Sequence, residues 1–379
     1  MMLRLLICTL LLCGAARAAD DGALAAKARA VQADVLNIDM HVDIFVRQGD
    51  LTTSGYAAAL GDAFGQFAAI HKLAEETSPD KIGIALTAAD ARRIMANGNK
   101  IAFIGIESAY PVGRDLRLLD QFYDYGARCI SLIHNGHSDM GDSAQPKKGA
   151  PVAEWRGLSP LGKQAVRRLN ELGIMVDVSH ASEKTALDMI AASKTPVIAS
   201  HSNVMAITAA PRNLSDAALV AIGKSGGLVQ VVALDGFVRP TPSDKTAAIV
   251  ALAGDMGLEI GVFGPRGADK LPPEKPSAYT ARMTVINTTW PRAAVKDLVD
   301  HIDHTVKKIG IDHVGISSSF NGGDGIDGWD QAEDLSPVTR ELVRRVYTAE
   351  QIGKLWNGNF LRVMDDVQKY AAGLKSRAQ

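Results

Sequence analysis

The chain has 379 residues, 47% of them hydrophobic and 22% charged, with a formal net charge of −1. That composition supplies a substantial core and argues against disorder. The near-zero charge gives no electrostatic reason to expect nucleic acid or an anionic membrane surface as a partner. The length fits one large α/β domain or two smaller ones.

The N-terminus reads as a signal peptide over residues 1–18. Arg4 supplies positive charge, Leu5 to Cys13 a short apolar run, and Ala16-Arg17-Ala18 a small-x-small cleavage site. The run is too short to span a bilayer comfortably. Cleavage after Ala18 leaves an exported protein, periplasmic or secreted, with no transmembrane span. A lipoprotein anchor at Cys13 is disfavoured by Leu12, which stands where a small residue is wanted. Of the three cysteines, Cys8, Cys13 and Cys129, only Cys129 survives cleavage. The mature chain therefore forms no internal disulfide and holds no cysteine-based zinc site.

From there the chain alternates apolar, β-branched runs with helical patterns. The runs are Val35–Met40, Lys81–Leu86, Ile101–Ile106, Ala127–Ile133, Gly173–Ser179, Pro196–Ser200, Gly227–Ala233 and His313–Ser318. Amphipathic stretches fall at Pro160–Leu172, Glu183–Ala192, Asp216–Lys224 and Arg292–Ile309. Ser159, Ser182 and Ser215 are expected N-caps, and Gly173 and Gly310 helix stops. Eight strand–helix units predict a single (β/α)8 TIM barrel of the metal-dependent hydrolase (amidohydrolase-like) type over 19–379. An open doubly wound sheet is the rival, weakened because no Gly-x-Gly-x-x-Gly follows an early strand. An inserted helix is expected within Gly49–Asp80. The long insertion at about 234–290 reads as a wall or lid over the site.

Polar residues cluster at the ends of these runs. The first ends in Asp39-Met40-His41-Val42-Asp43, the third in Gly105-Ile106-Glu107, and the fourth in Leu132-Ile133-His134-Asn135. The fifth ends in Asp177-Val178-Ser179-His180 and the sixth in Ala199-Ser200-His201. Barrel enzymes build active sites at the C-terminal ends of several strands. His41 and Asp43, two apart, share one face of an extended strand. With Glu107, His180 and His201 they make three imidazoles and two carboxylates, a set suited to Zn²⁺ or a similar divalent ion. Five ligands exceed the needs of one catalytic zinc. Two cations bridged by Glu107, whose two oxygens can be divided, would use them and could share and acidify one water. Ligand type alone leaves zinc, manganese and cobalt open.

At these residues the sequence resembles the membrane dipeptidase (renal dipeptidase) family of zinc peptidases over nearly the whole mature chain. Beyond the strand ends, the resemblance is carried by Gly136, by Asp142-Ser143 and by Gly157-Leu158-Ser159-Pro160-Leu161-Gly162. It continues through Ser200-His201-Ser202, Pro211-Arg212-Asn213 and Gly358-Asn359-Phe360-Leu361-Arg362-Val363. It implies that His41 and Asp43 bind one zinc, that His180 and His201 bind the other, and that Glu107 bridges them. It also implies that His134 steadies the tetrahedral oxyanion and that Arg212 grips the carboxylate of a dipeptide or small peptide-like substrate, chemistry to which an imidazole and a guanidinium are suited. A homodimer is compatible with such enzymes. The family pattern ends its eighth strand in Asp-Phe-Asp-Gly. Here the segment is Ser317-Ser318-Ser319-Phe320-Asn321-Gly322-Gly323, so Ser319 and Asn321 stand where acids are expected. A serine hydroxyl is no base near neutrality and cannot attract an ammonium by charge. Asp324, Asp139 and Asp142 are weaker candidates to replace the missing acid.

Three functions follow: a dipeptidase, a related amide hydrolase for N-blocked or modified peptides, and a non-catalytic binding protein on the same scaffold. Tyr110 and Trp155 are pocket or core residues, and His137 lies in the loop after His134. Asp39 and Asp177 are placed to orient ligands from behind. His301 and His304 are read as a face of an outer-ring helix, His71 as a helix residue, and His313 as lying at the wrong end of the barrel.

Overall fold

The computed structural model describes residues 22–32, 53–261, 264–268, 271–273, 275–320, 325–331 and 335–378. The signal peptide, the first predicted strand (Val35–Met40), His41, Asp43, Asn321 and Asp324 lie outside the described residues. The other seven predicted strands are present. They are β1 (Ile82–Ile84), β2 (Lys100–Ala102) with β3 (Ile104–Ile106), β4 (Ala127–Ser131), β5 (Met175–Asp177), β6 (Val197–Ala199), β7 (Leu228–Val232) and β10 (Val314–Ser317). Six of these form one parallel sheet in the order β10-β7-β6-β5-β4-β3. The predicted run Ile101–Ile106 is divided at Phe103. Its first half pairs in parallel with β1 and its second with β4. The Phe103 ring meets Phe360, 5.1 Å away, at the break.

Every residue of β5, β6, β7 and β10 is buried. Strands covered on both faces read as continuous apolar runs rather than as alternation. The covering helices come from the predicted stretches. Pro160–Leu172, Glu183–Ala192 and Asp216–Lys224 are capped by Ser159, Ser182 and Ser215, each accepting a backbone N–H three residues on. Gly173 ends its helix in the left-handed region at φ 83°. The fourth stretch starts late, at Val295. Its approach is fixed by Ala293 N–H donating to Asp235 Oδ1 and Ala294 N–H to Asp297 Oδ2. The inserted helix expected early in the chain is Thr53–Lys72.

The long insertion is itself structured. After β7 come a helical turn (Asp235–Val238), a helix (Ser243–Met256), a β-hairpin of β8 (Glu259–Gly261) and β9 (Gly264–Arg266), and a helix (Pro276–Thr289). The C-terminal Gly358–Val363 motif lies at the end of the sheet opposite the polar strand ends. Asn359 Nδ2 donates to the carbonyls of Ile311 and Val314. Arg362 donates to those of Gly226 and Asp312. Its role is to fasten the last helix beneath β7 and β10. No helix among the described residues is long and apolar enough to cross a membrane.

The Ser-Pro-Leu-Gly motif shows how tightly this scaffold is built. Gly162 N–H is the group that Ser159 caps, and a Cβ added at Gly162 would lie 2.1 Å from the Met140 carbonyl oxygen. Backbone cannot yield as a flexible side chain does. Gly162→Ala should therefore destabilise the protein by about 1–3 kcal/mol, read as a lower urea midpoint at unchanged slope. An unchanged midpoint would show that the Met140 segment moves aside without cost.

Candidate active site

Parallel strands all end at one edge, and the polar residues follow those ends. Glu107 comes directly after β3, His134 three residues after β4, His180 three after β5 and His201 two after β6. Ser319 follows β10 by two residues and is buried. Two of these strand ends leave the extended region sharply, with Ser108 at φ 75° and His180 at φ 67°. A positive φ is unfavourable for a side chain with a Cβ, and such positions concentrate at functional sites.

Three donor atoms converge. Glu107 Oε1 lies 2.8 Å from His180 Nε2 and 3.1 Å from His201 Nε2, and the two nitrogens are 3.0 Å apart. Donor atoms around a four-coordinate zinc with ~2.0–2.1 Å bonds stand about 3.3 Å apart, so the triangle has the dimensions of one face of such a site. The remaining ring nitrogens are turned away to other partners. His180 Nδ1 meets Asn135 Oδ1 at 3.2 Å, and His201 Nδ1 meets Ser200 Oγ at 2.8 Å. Asn135 Oδ1 can only accept, so His180 carries its proton on Nδ1 and presents the Nε2 lone pair to the cluster. Burial, and then the nearby Arg212 guanidinium, push the His180 pKa well below the ordinary histidine range. A neutral imidazole is what metal ligation requires. His134 Nε2 lies 3.6 Å from the other Glu107 oxygen, and its ring centroid is 4.3 Å from that of His180. Ligand atoms of Glu107, His134 and His180 all fall within 4.8 Å of one another, so His134 belongs to the same cluster.

Arg212 arrives from the loop between β6 and the helix Asp216–Lys224. It is 3% exposed, so the surface-charge alternative for an Arg beside a turn proline does not hold. Its Nη2 donates to His201 Nε2 at 2.8 Å, its guanidinium lies 5.5 Å from the Phe237 ring centroid, and its Nε is buried with no hydrogen-bond partner among the described residues. Burial pushes its pKa down to about 10, partly offset by Glu107 and Asp177. A cation remains, with a donor left over for an anionic partner.

The other candidates divide. Tyr110, three residues past Glu107, is buried, with its ring centroid 4.9 Å from that of Tyr56. Asp139 accepts from Tyr56 Oη and Arg114, and is engaged there. His137 lies between the Pro151 carbonyl and Ser143 N–H. Asp142 takes the backbone N–H groups of Glu154, Trp155 and Gly157 and so folds the loop behind the site. Trp155 is partly exposed, its indole donating to the Ser138 carbonyl. His301 sits on the helix Val295–Ile309. It is fully buried, with Nδ1 accepting from Val204 N–H and Nε2 donating to the Val238 carbonyl. His304 pairs with Asp216, His71 with Glu75, and His313 with the Gly227 carbonyl. Two contributors escape the sequence reading except as neighbours of the histidines: Asn135, following His134, and Ser200, preceding His201.

The membrane dipeptidase (peptidase family M19) profile matches residues 25–378. Dipeptidase tcpJ of Claviceps purpurea is 26% identical over 329 residues, which cover 86% of this chain and 65% of that protein. The chain thus spans just under two thirds of that relative's length. Dipeptidase ataJ of Aspergillus terreus is 30% identical over 83% of this chain and 69% of its own length. The crystal structure of the probable dipeptidase PvdM from Pseudomonas aeruginosa aligns with a TM-score of 0.73 at 33% identity, covering 92% of this chain and 99% of that one.

The loop that Asp142 folds should be acid-sensitive. Burial raises the Asp142 pKa, but its backbone donors and His137 outweigh that and leave it lowered. A depressed carboxylate stabilises above its unfolded pKa, and that contribution is lost as pH falls through its folded pKa. The Trp155 indole N–H should stay protected from hydrogen exchange at neutral pH and lose protection only as pH falls below the ordinary carboxylate range, through the lowered pKa of Asp142. Asp142→Ala should remove that protection at all pH values and cost about 2–4 kcal/mol. An indole equally protected in both proteins would show that Asp142 does not hold the loop.

Proposed function

The chain belongs to the membrane dipeptidase family, peptidase family M19, and from that premise we propose that it is a metal-dependent hydrolase that cleaves the peptide bond of dipeptides. The observation that carries this reading is the convergence of Glu107 Oε1, His180 Nε2 and His201 Nε2 within 2.8–3.1 Å, with the outer nitrogens of both rings engaged elsewhere. The donor set fits two divalent ions, zinc by its mixture of imidazole and carboxylate. His180 and His201 would hold one, His41 and Asp43 the other, and Glu107 would bridge them. In this reading the fold is a (β/α)8 barrel. Residues 19–379 then form one domain, exported after loss of residues 1–18.

When bound, the cations supply Lewis acidity and lower the pKa of a water toward neutrality. The chain's own residues do the rest. Arg212 pairs with the substrate's terminal carboxylate, for which its buried Nε is a ready donor. His134, beside Glu107, donates to the oxygen on which negative charge develops. Tyr110 walls the site next to Glu107.

The purified protein should carry two divalent ions per chain, and chelation should abolish dipeptide cleavage. His180→Ala should lose both metal and activity. Arg212→Met should raise KM about 10- to 100-fold, as expected for loss of a charged hydrogen bond. A metal-loaded protein inert toward a broad dipeptide panel would overturn the assignment and favour a binding protein on the same scaffold.

One observation supports a second substrate class. Ser319, buried at the end of β10, offers a neutral hydroxyl where a free amine would need an anion. N-blocked or modified peptides are then substrates as well. Under this reading N-acylated dipeptides turn over at least as fast as free ones, and Ser319→Asp reverses the preference. If Ser319→Asp changes neither rate, Ser319 does not contact the substrate amine.

A further inference from the structure

Behind His201 lies a chain of hydrogen bonds whose directions can be worked out atom by atom. Asp177, the last residue of β5, is buried, and its Oδ1 accepts two backbone N–H groups, from Ser179 at 2.9 Å and from Ser200 at 3.0 Å. Amide N–H groups only donate, so the carboxylate faces them as an acceptor. Its second oxygen, Oδ2, lies 2.5 Å from Ser200 Oγ, and Ser200 Oγ lies 2.8 Å from His201 Nδ1. A hydroxyl has one proton. If it goes to Asp177, Ser200 can meet His201 only with a lone pair, and Nδ1 must carry the hydrogen. The lone pair of His201 is then on Nε2, the atom that faces Glu107 and His180 and that accepts from Arg212 Nη2 at 2.8 Å, a contact that favours the same tautomer.

We propose that Asp177 and Ser200 are positioning residues that fix the tautomer of His201, so that Nε2 is presented as a lone-pair donor. The metal consequence rests on the reading of His201 as a ligand; the tautomer itself does not. The relay has a polarity that substitution can reverse. In Asp177→Asn the amide oxygen still serves the two backbone donors, which leaves the NH2 facing Ser200. Ser200 then accepts from Asn and turns its own proton onto His201 Nδ1, which puts the His201 hydrogen on Nε2, against Arg212 Nη2 at 2.8 Å, so the switch also requires Arg212 to turn away from His201. His180 is held by a separate partner, Asn135, and is the internal control.

The test reads the tautomer directly. Two-bond 1H–15N correlation spectra of the metal-free, 15N-histidine-labelled protein should show His201 as the Nδ1–H form in the wild type. The signal is assigned by its disappearance in His201→Gln. Asp177→Asn should convert it to the Nε2–H form with His180 unchanged, and zinc affinity by calorimetry should fall about 10- to 100-fold. Ser200→Ala, in which only Arg212 still biases the ring, should leave the Nδ1–H form in excess but no longer exclusive and weaken zinc about 10-fold, whereas Ser200→Thr, which keeps the hydroxyl, should match the wild type. In Ser200→Ala the relay is cut, so adding Asp177→Asn should cost nothing further in zinc affinity. A merely structural Asp177 would leave the tautomer as it is and make the two losses add; either result overturns the proposal. If Asp177→Asn does not fold by circular dichroism, Ser200→Ala against Ser200→Thr decides, and equal tautomers and zinc affinities in the two refute the relay. Zinc binding undiminished in His201→Gln would refute the ligand reading alone.

Discussion

The Asp177 carboxylate ties together the ends of two strands at the point where their ladder stops. β5 and β6 share the pairs Val176↔Val197 and Asp177↔Ile198, and Val178 N–H donates to the Ile198 carbonyl. Beyond that point the chain carries His180 on one strand and His201 on the other, and their ring nitrogens must meet to within a few tenths of an ångström. By accepting from the amides of Ser179 and Ser200, Asp177 fixes both strand exits to one point. A second tie crosses the same gap, from His201 N–H to Ser179 Oγ. The convergence of the imidazoles on Glu107 depends on this bracing, because parallel strands about 4.8 Å apart do not by themselves bring their terminal side chains onto one atom.

That convergence works against stability at several places, and the surroundings offset it. His180 is buried beside the guanidinium of Arg212 and sits at a positive φ, and Ser108 does the same next to Glu107. An ionised guanidinium in a dry interior is costly unless partnered. Here Glu107 and Asp177 supply compensating negative charge, while the Nε has no hydrogen-bond partner among the described residues. The turn at Ser108 is held by its N–H donating to Ser131 Oγ from β4. These strains are tolerated because β5, β6, β7 and β10 are buried along their whole length and the sheet is fastened from the far side by Asn359 and Arg362.

Much of this was legible in the sequence, for reasons that can be named. The runs that become β3, β4, β5 and β6 are each followed within three residues by His or Glu, so the polar edge of the sheet announces itself at the ends of those runs. The helices from Pro160, Glu183 and Asp216 have the expected bounds because a serine sits at each N-cap, and a side-chain cap is a local signal. Long-range effects were not legible. The division of one strand at Phe103 depends on Phe360 in the last helix. The bond from Ser200 to Asp177 spans 23 residues, and a serine beside a histidine carries no mark of it. The burial of His301 has a local sign. Leu298, Ile302 and Thr305 make up its own helical stripe, and all three are buried.

His301 also explains how the long insertion bears on the site. Its two ring nitrogens join Val204, at the start of the loop that delivers Arg212, to Val238, at the end of the insertion's first helical turn. Asn213, next to Arg212, makes the same connection by donating to the carbonyls of Thr208 and Phe237. Phe237 in turn lies beside the Arg212 guanidinium. The loop and the first turn of the insertion are thus one hydrogen-bonded unit, clamped onto the helix Val295–Ile309. The insertion, read from sequence as a wall or lid, acts at its start as a mount for Arg212. A segment that sets the position of a buried cation must hold still, so any movement of the insertion has to occur beyond Val238, past the point where His301 holds it.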